Sequence, residues 1–268
     1  MLLLKAFLEI VKEWEGVFPQ TRTTKRAIRQ ALGSLICVGR RMLTRIICAI
    51  GNEDKSWSGE YFLHSRSAWS PEDLFKPIVR RALSYCRGPL LGVVVDDTSV
   101  KKTGRRILQA FWARDPMSPP FWVNLRLGIR FLQFAVVLPL HHTLQAAART
   151  IPILFEEVGV AKKPRKGCKD YEKKMKEYKE LSKNRSLTIR AVEAIGRLRT
   201  AFDVAGAVHK ILVIIGDGAF CNRSMFGMET KQTHLLVRAR KDVKLCKRSK
   251  SAMRFYDEKT FTPVGRLK

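Results

Sequence analysis

The 268-residue chain predicts an α/β fold preceded by an all-α, basic region, on three observations. Two short segments, Leu90-Leu91-Gly92-Val93-Val94-Val95-Asp96-Asp97-Thr98 and Ile211-Leu212-Val213-Ile214-Ile215-Gly216-Asp217-Gly218, each run branched apolar residues straight into a carboxylate. Continuous apolar runs of this length suit strands buried on both faces. Between them, Leu187, Ala191, Ile195, Leu198 and Phe202 recur every three or four residues, which makes one apolar face of a core helix over about 184–203, with Arg190 and Arg197 off that face. Ahead of both, residues 19–51 carry Arg22, Lys25, Arg26, Arg29, Arg40, Arg41 and Arg45 without one acid, while Ala27, Ile28, Ala31, Leu32, Leu35 and Ile36 keep helical apolar spacing.

In chain order, Met1 to Val11 is apolar only in pieces, interrupted by Lys5, Glu9 and then Lys12, and reads as an amphipathic helix with no secretory signal. In the basic segment, Gly33-Ser34 and Gly39 are expected to punctuate short helices. Arg40, Arg41, Thr44 and Arg45 then fall on a final helix, either a helix-turn-helix reader or the solvated basic face of an ordinary bundle. Residues 51–70 are polar and aromatic, and Ser70-Pro71-Glu72-Asp73 opens a helix that runs to about Cys86, with proline in its first turn. Arg87-Gly88-Pro89 breaks it, dividing a helical domain at 1–87 from an α/β domain at 88–268.

After the first acid comes the basic turn Lys101-Lys102-Thr103-Gly104-Arg105-Arg106. Strand-like stretches follow at about 106–114 and 125–138, separated by Asp115-Pro116-Met117-Ser118-Pro119-Pro120 and expected to lie antiparallel. Residues 161–190 hold twelve Lys or Arg against four acids, a solvated arm or a surface that tracks phosphates. Past Asp217, a turn leads into a short helix, and His234-Leu235-Leu236-Val237-Arg238-Ala239-Arg240 reads as a further strand.

The balance of 51 Lys and Arg against 24 Asp and Glu gives a net charge of +27. Such a field is matched most simply by a polyanion, nucleic acid ahead of an anionic membrane surface. No run of eighteen apolar residues occurs, so no membrane span is expected, and the cytoplasm, on the nucleoid, is the expected location. The cysteines at 37, 48, 86, 168, 221 and 246 show no zinc spacing and read as reduced thiols. His141-His142 is a weak metal-ligand candidate, and Cys221 has no evident general base among its neighbours.

An acid at the end of a buried strand either caps the following turn or holds a cation. Two such acids on neighbouring strands are the minimal oxygen cage for Mg²⁺ (or Mn²⁺), which keeps water and phosphate oxygens in its remaining shell. In so basic a chain that cage points to metal-dependent phosphodiester chemistry, with a non-catalytic nucleic-acid-binding protein as the alternative. Side-chain alternation puts Asp96 and Asp97 on opposite faces of the strand, against their sharing one ion.

Three segments carry a resemblance: Val95-Asp96-Asp97-Thr98-Ser99-Val100-Lys101-Lys102-Thr103-Gly104, Ile215-Gly216-Asp217-Gly218-Ala219-Phe220-Cys221-Asn222 and Leu236-Val237-Arg238-Ala239-Arg240-Lys241-Asp242. Together they resemble bacterial insertion-sequence transposases of the DDE superfamily. The stretches Gly39-Arg40-Arg41-Met42-Leu43-Thr44-Arg45 and Trp57-Ser58-Gly59-Glu60-Tyr61-Phe62 are similar to the N-terminal DNA-binding part of that group. The resemblance implies an RNase H-like core, a mixed sheet flanked by helices, with Asp96 on the opening strand and Asp217 on a later one as the catalytic, metal-binding pair. It selects Asp96 over Asp97, because the family's first acid is followed by one residue and then Thr or Ser. It also implies contact with double-stranded DNA, both element ends and target, through Arg40, Arg41, Arg45, Lys101, Lys102, Arg238 and Arg240, with a homodimer in the synaptic complex.

The family's third carboxylate is a Glu on a late helix accompanied by Tyr, Arg and Lys. Glu229 follows Asp217 too closely to match it, and Glu258 in Phe255-Tyr256-Asp257-Glu258-Lys259-Thr260 lacks the companion residues. The expectation is therefore an N-terminal portion of a longer transposase, without its third acid and doubtful as a nuclease alone.

Overall fold

The structure is a computed structural model that describes residues 2–104, 106–115, 117–119, 121–139, 147–239, 244–245 and 262–263. Arg240, Glu258 and the His141-His142 pair lie outside the described residues. The chain divides into two compact units, Met1–Ser84 and Tyr85–Lys268.

The first unit is helical: α1 (Leu2–Lys12), α2 (Thr21–Ile36), α3 (Leu43–Ala49), α4 (Ser58–Ser65) and α5 (Pro71–Tyr85). Its core gathers Phe18, Ala27 and Leu63, with Trp14, Val17, Trp69 and Leu74 packed against them. The two indoles satisfy their N–H groups on backbone, Trp14 donating to the Leu74 carbonyl at 3.2 Å and Trp69 to that of Leu63 at 2.8 Å. Glu60 is buried, and the charge is met from α2: Arg26 Nε lies at 3.2 Å, Arg29 Nη2 at 3.0 Å, and Gln30 Nε2 donates to it at 2.7 Å. A carboxylate in a core persists only with such partners.

The break expected at Gly33-Ser34 does not occur, since α2 runs through it to Ile36. A Cβ on Gly33 would stand 2.7 Å from Ile50 Cγ2 and 2.9 Å from Ile46 Cγ2, so this glycine lets α3 approach α2 closely. The chain turns at Gly39 instead, where φ is +84°, a conformation that favours glycine. Arg40 and Arg41 therefore sit in that turn, ahead of the helix they were expected to lie on. Only Arg45 is carried on α3, and all three are exposed.

The second unit is a mixed α/β structure with an open sheet flanked by helices. Its strands are β1 (Leu90–Lys101), β2 (Phe111–Arg114), β3 (Leu125–Pro139), β4 (Ala148–Glu157), β5 (Ile211–Gly216) and β6 (Thr233–Val237). The order is β2-β3-β1-β5-β6, with β4 also on β3. β3 runs antiparallel to β1, β2 and β4, while β5 is parallel to β1 and β6 parallel to β5. A separate two-stranded pair joins β7 (Lys244–Leu245) to β8 (Thr262–Pro263).

The strand expected over 106–114 is confined to Phe111–Arg114, and β4 has no counterpart in the sequence expectations. β4 carries Pro152, which is compatible with its place beside a single neighbour, and the register shifts between Phe134 and Ala135 opposite it. That irregularity interrupts the alternation by which a strand is recognised.

The helices of this unit are α6 (Tyr171–Asn184), α7 (Leu187–Phe202) and α8 (Arg223–Phe226). α7 is the helix expected from the apolar periodicity, capped where the Ile189 amide donates to Ser186 Oγ at 3.3 Å. Ala191, Ala194, Ile195, Leu198 and Phe202 are buried with Leu91, Val93 and Val95 of β1, Leu132, Phe134 and Val136 of β3, and Leu212 and Ile214 of β5. Arg190 and Arg197 reach from α7 to Glu156 of β4, fastening the helix to that side of the sheet. α6, the helical part of the basic 161–190 segment, buries none of its residues.

A buried cation clamp sets the start of β5 against the start of β1. Arg199 donates to the carbonyls of Lys210 and Ala207, each at 2.8 Å, and pairs with Asp203. Lys210 in turn donates through Nζ to the Cys86 carbonyl at 2.8 Å and to that of Gly88. The Ile211 amide then bonds the Pro89 carbonyl at 2.9 Å, and the parallel register follows, from Leu90↔Ile211 to Val95↔Gly216.

Candidate functional site

The register that begins at the clamp ends at the acids. One residue beyond the last β1–β5 couple, Val95↔Gly216, come Asp96 and Asp217, both exposed; Asp217 directly follows β5, whereas Asp96 lies inside β1, which continues along β3 to Lys101 and so does not end at the acid as the sequence suggested. On the other side of β1, Asp96 is opposite Gln133 of β3. On the other side of β5, Gly216 pairs with Val237, so Arg238 follows at the same level, and its amide donates to the Gly216 carbonyl at 3.3 Å. Gln133, Asp96, Asp217 and Arg238 thus form a transverse row across four strands.

Local hydrogen bonds hold the two carboxylates. Asp217 Oδ1 accepts from the Ala219 amide at 2.9 Å, capping the turn Gly218–Phe220, and Asp96 Oδ1 accepts from the Asp97 amide at 2.8 Å. Asn222 caps α8 similarly, accepting from the Met225 amide at 3.2 Å.

Asp97 lies on the other face of β1, half-buried, with Oδ2 3.6 Å from Arg130 Nε of β3. Burial raises its carboxyl above the ordinary aspartate range. The Arg130 guanidinium opposes that shift, while the charges of Asp96 and Asp217 add to it. The like-charge effect from both neighbours is consistent with three aspartates in one electrostatic neighbourhood just past the last β1–β5 couple. Arg130 also stands over the Phe111 ring, 5.5 Å from its centroid. Nothing in the sequence pointed to Arg130 or Gln133, because each is a polar residue inside an apolar run and takes its meaning only from register.

Among the expected nucleic-acid contacts, Lys101 ends β1 and is exposed, Lys102 follows it with its amide on the Leu127 carbonyl at 2.9 Å, and Arg238 is exposed beside the acids. Arg40, Arg41 and Arg45 belong to the first unit, where each is described above.

As a donor set, two exposed carboxylates without sulfur or imidazole suit a hard, oxygen-seeking cation. Among the described residues no group of three or more His, Cys, Asp and Glu is placed to hold a metal ion, so such a cation would take the rest of its shell from water and substrate oxygens. No helix among the described residues is long and apolar enough to cross a membrane. Compared with known proteins, the chain matches no protein-family model and no curated protein.

Proposed function

We propose that the chain is a DNA transposase of the DDE type, acting on phosphodiesters at the ends of an insertion sequence through Mg²⁺ or Mn²⁺ held by Asp96 and Asp217. The observation that carries this reading is the row in which Asp96 and Asp217 stand side by side, one step past Val95↔Gly216, in a chain of net charge +27. An RNase H-like core is supported by the placement of the first acid on the opening, central strand of a mixed sheet and the second at the end of a later strand parallel to it. A divalent cation bound there would supply Lewis-acid stabilisation of charge on phosphate oxygens. The chain's own part is to fix both carboxylates through their backbone hydrogen bonds and to hold the DNA backbone with Arg238 beside the acids, Lys101 and Lys102 further along β1, and Arg40, Arg41 and Arg45 in the helical unit. Duplex ends and target DNA are the partners, with two copies of the chain in the synaptic complex.

A second reading, a non-catalytic nucleic-acid-binding protein, is favoured by one observation: each acid already serves a local backbone amide, as a structural cap would. The two readings separate in a Mn²⁺ titration followed by electron paramagnetic resonance, with DNA affinity measured in parallel. Loss of an outer-shell partner already costs about 10-fold in metal affinity, so Asp96→Asn and Asp217→Asn, which remove direct ligands, should each cost at least that. DNA binding in chelator should stay intact and fall steeply with salt. Equal Mn²⁺ affinity in wild type and both variants would leave only the second reading.

A further inference from the structure

We infer that the hairpin formed by β2 and the start of β3 is a stacking platform for unpaired bases, placed on the same sheet face as Asp96. The inference rests on the nucleic-acid reading above and gives the state of the nucleic acid that reaches the site. In this stretch Trp112 is 63% exposed, Trp122 67% and Phe121 89%, and Met117 and Leu108 are similarly bare. Large rings left in water over one contiguous segment mark a surface that meets a partner.

The charges around the rings identify that partner's chemistry. From Ser99 to Leu127 the sequence holds Lys101, Lys102, Arg105, Arg106, Arg114 and Arg126 against the single acid Asp115. That acid is paired, its Oδ1 lying 3.5 Å from Arg126 Nη1. Cations interleaved with exposed aromatic rings match a strand that offers phosphates and bare π-faces at once. In a duplex those faces are stacked on one another, so the rings select bases that are unpaired.

Hydrogen bonds among its described residues tie the turn that presents the rings. The Asp115 amide bonds the Asn124 carbonyl at 2.8 Å, the Trp122 amide bonds that of Pro119 at 3.1 Å, and Arg114 Nη2 reaches the Pro119 carbonyl at 3.2 Å. Pre-ordering of this kind lowers the entropic cost of binding. Register fixes the position relative to the acids. Asp96 is opposite Gln133, Lys102 bonds Leu127, and Leu127 is opposite Trp112. Asp96 and Lys102 are an even number of residues apart, as are Gln133 and Leu127, so Trp112 shares the face of Asp96. Six residues of strand put it about 20 Å away along the sheet. A single strand leaving the acid row along β1 runs onto Trp112 and then the turn bearing Phe121 and Trp122.

The test uses the full chain and fluorescence anisotropy with a labelled oligothymidine and a duplex of equal length. Each base–aromatic stack removed by alanine costs about 5- to 150-fold in affinity. Trp112→Ala and Trp122→Ala should each weaken single-strand binding in that range while changing duplex binding less than about 3-fold, and Trp112→Phe should retain most of the affinity. Both rings are exposed, so thermal melting should not move. Wild type that binds duplex in a salt-dependent way, with variants that keep full single-strand affinity, would overturn this inference alone. Wild type that binds neither form would overturn the nucleic-acid reading as well. Variants that lose binding to anionic vesicles, or lose self-association, while keeping the oligothymidine would overturn the platform and assign the rings to a lipid or protein surface.

Discussion

Lys210 offers the sharpest test of how the acid row is built. Its ammonium is buried and donates to the carbonyls of Cys86 and Gly88, immediately ahead of β1, while its own carbonyl is held by Arg199. Lys210→Met keeps the aliphatic stem and removes both donors. A hydrogen bond from a charged group contributes about 1.5–3 kcal/mol, and a buried carbonyl left unpaired costs about 1–3 kcal/mol. The bond to Cys86 is buried and takes the full value, whereas the one to Gly88 is partly open to water and takes about 1 kcal/mol. Relief from desolvating the ammonium offsets part of the sum, so we expect a net loss of about 3 kcal/mol in the stability of the paired β1–β5 ends. Hydrogen exchange read by mass spectrometry should show peptides covering Leu90–Val95 and Ile211–Gly216 exchanging about 100-fold faster, with peptides of α2 as internal reference. Acceleration below about 3-fold would refute the view that Lys210 locks this register, and Lys210→Arg should recover most of the protection.

Three further outcomes follow from other parts of the molecule. Gly33→Ala drives a methyl into Ile46 and Ile50, so the helical unit should lose about 1–3 kcal/mol in urea unfolding, while Ser34→Ala, one residue on, should lose less. His64 is held below its ordinary pKa, first by burial and against the pull of Glu60, and its Nε2 lies 2.7 Å from Gln30 Oε1. Because the unfolded chain then binds the proton more readily, stability should be constant above about pH 6.5 and fall as pH drops from there toward the lowered folded value. His64→Gln should flatten that slope in unfolding titrations. Glu60→Gln leaves Arg26 and Arg29 facing a neutral amide and should destabilise the helical unit by about 2–4 kcal/mol, measured by urea unfolding.

What the sequence made legible and what it hid divide along a physical line. β1, β5 and α7 were readable because each buries a continuous or periodic apolar surface, a property local to the segment. β4 was hidden because Pro152 and the irregularity within it, where Ile153 is left without a partner in β3, break the alternation. Gly33 was misread because its local tendency to break helices was outweighed by the close approach of α3, which only the tertiary structure supplies. Arg199 and Lys210 look like solvent-facing cations in the sequence, since the carbonyls that bury Lys210 come from residues 86 and 88, far upstream. Asp96 and Asp217 were individually visible as acids that follow apolar runs, although β1 does not end at Asp96 but runs on along β3 to Lys101. Their adjacency, and the places of Gln133 and Arg238 beside them, depended on strand order and register.

The capping role of the acids and a metal-binding role are compatible in this geometry. Each carboxylate commits one oxygen to a nearby backbone amide, Asp96 Oδ1 to that of Asp97 within β1 and Asp217 Oδ1 to that of Ala219 in the following turn. Among the described residues, neither Oδ2 has a hydrogen-bond partner in the protein. A carboxylate held through one oxygen loses rotamer freedom, so its second oxygen is oriented before any cation arrives, which reduces the entropic cost of coordination. If the caps act this way, Ala219→Pro, which deletes the amide that Asp217 Oδ1 accepts from, should weaken Mn²⁺ binding although it removes no ligand. Ala219→Ser, which keeps that amide, should not. Unchanged Mn²⁺ affinity in Ala219→Pro, with folding intact by circular dichroism, would separate the cap from the site and leave the Ala219 bond as a turn interaction only.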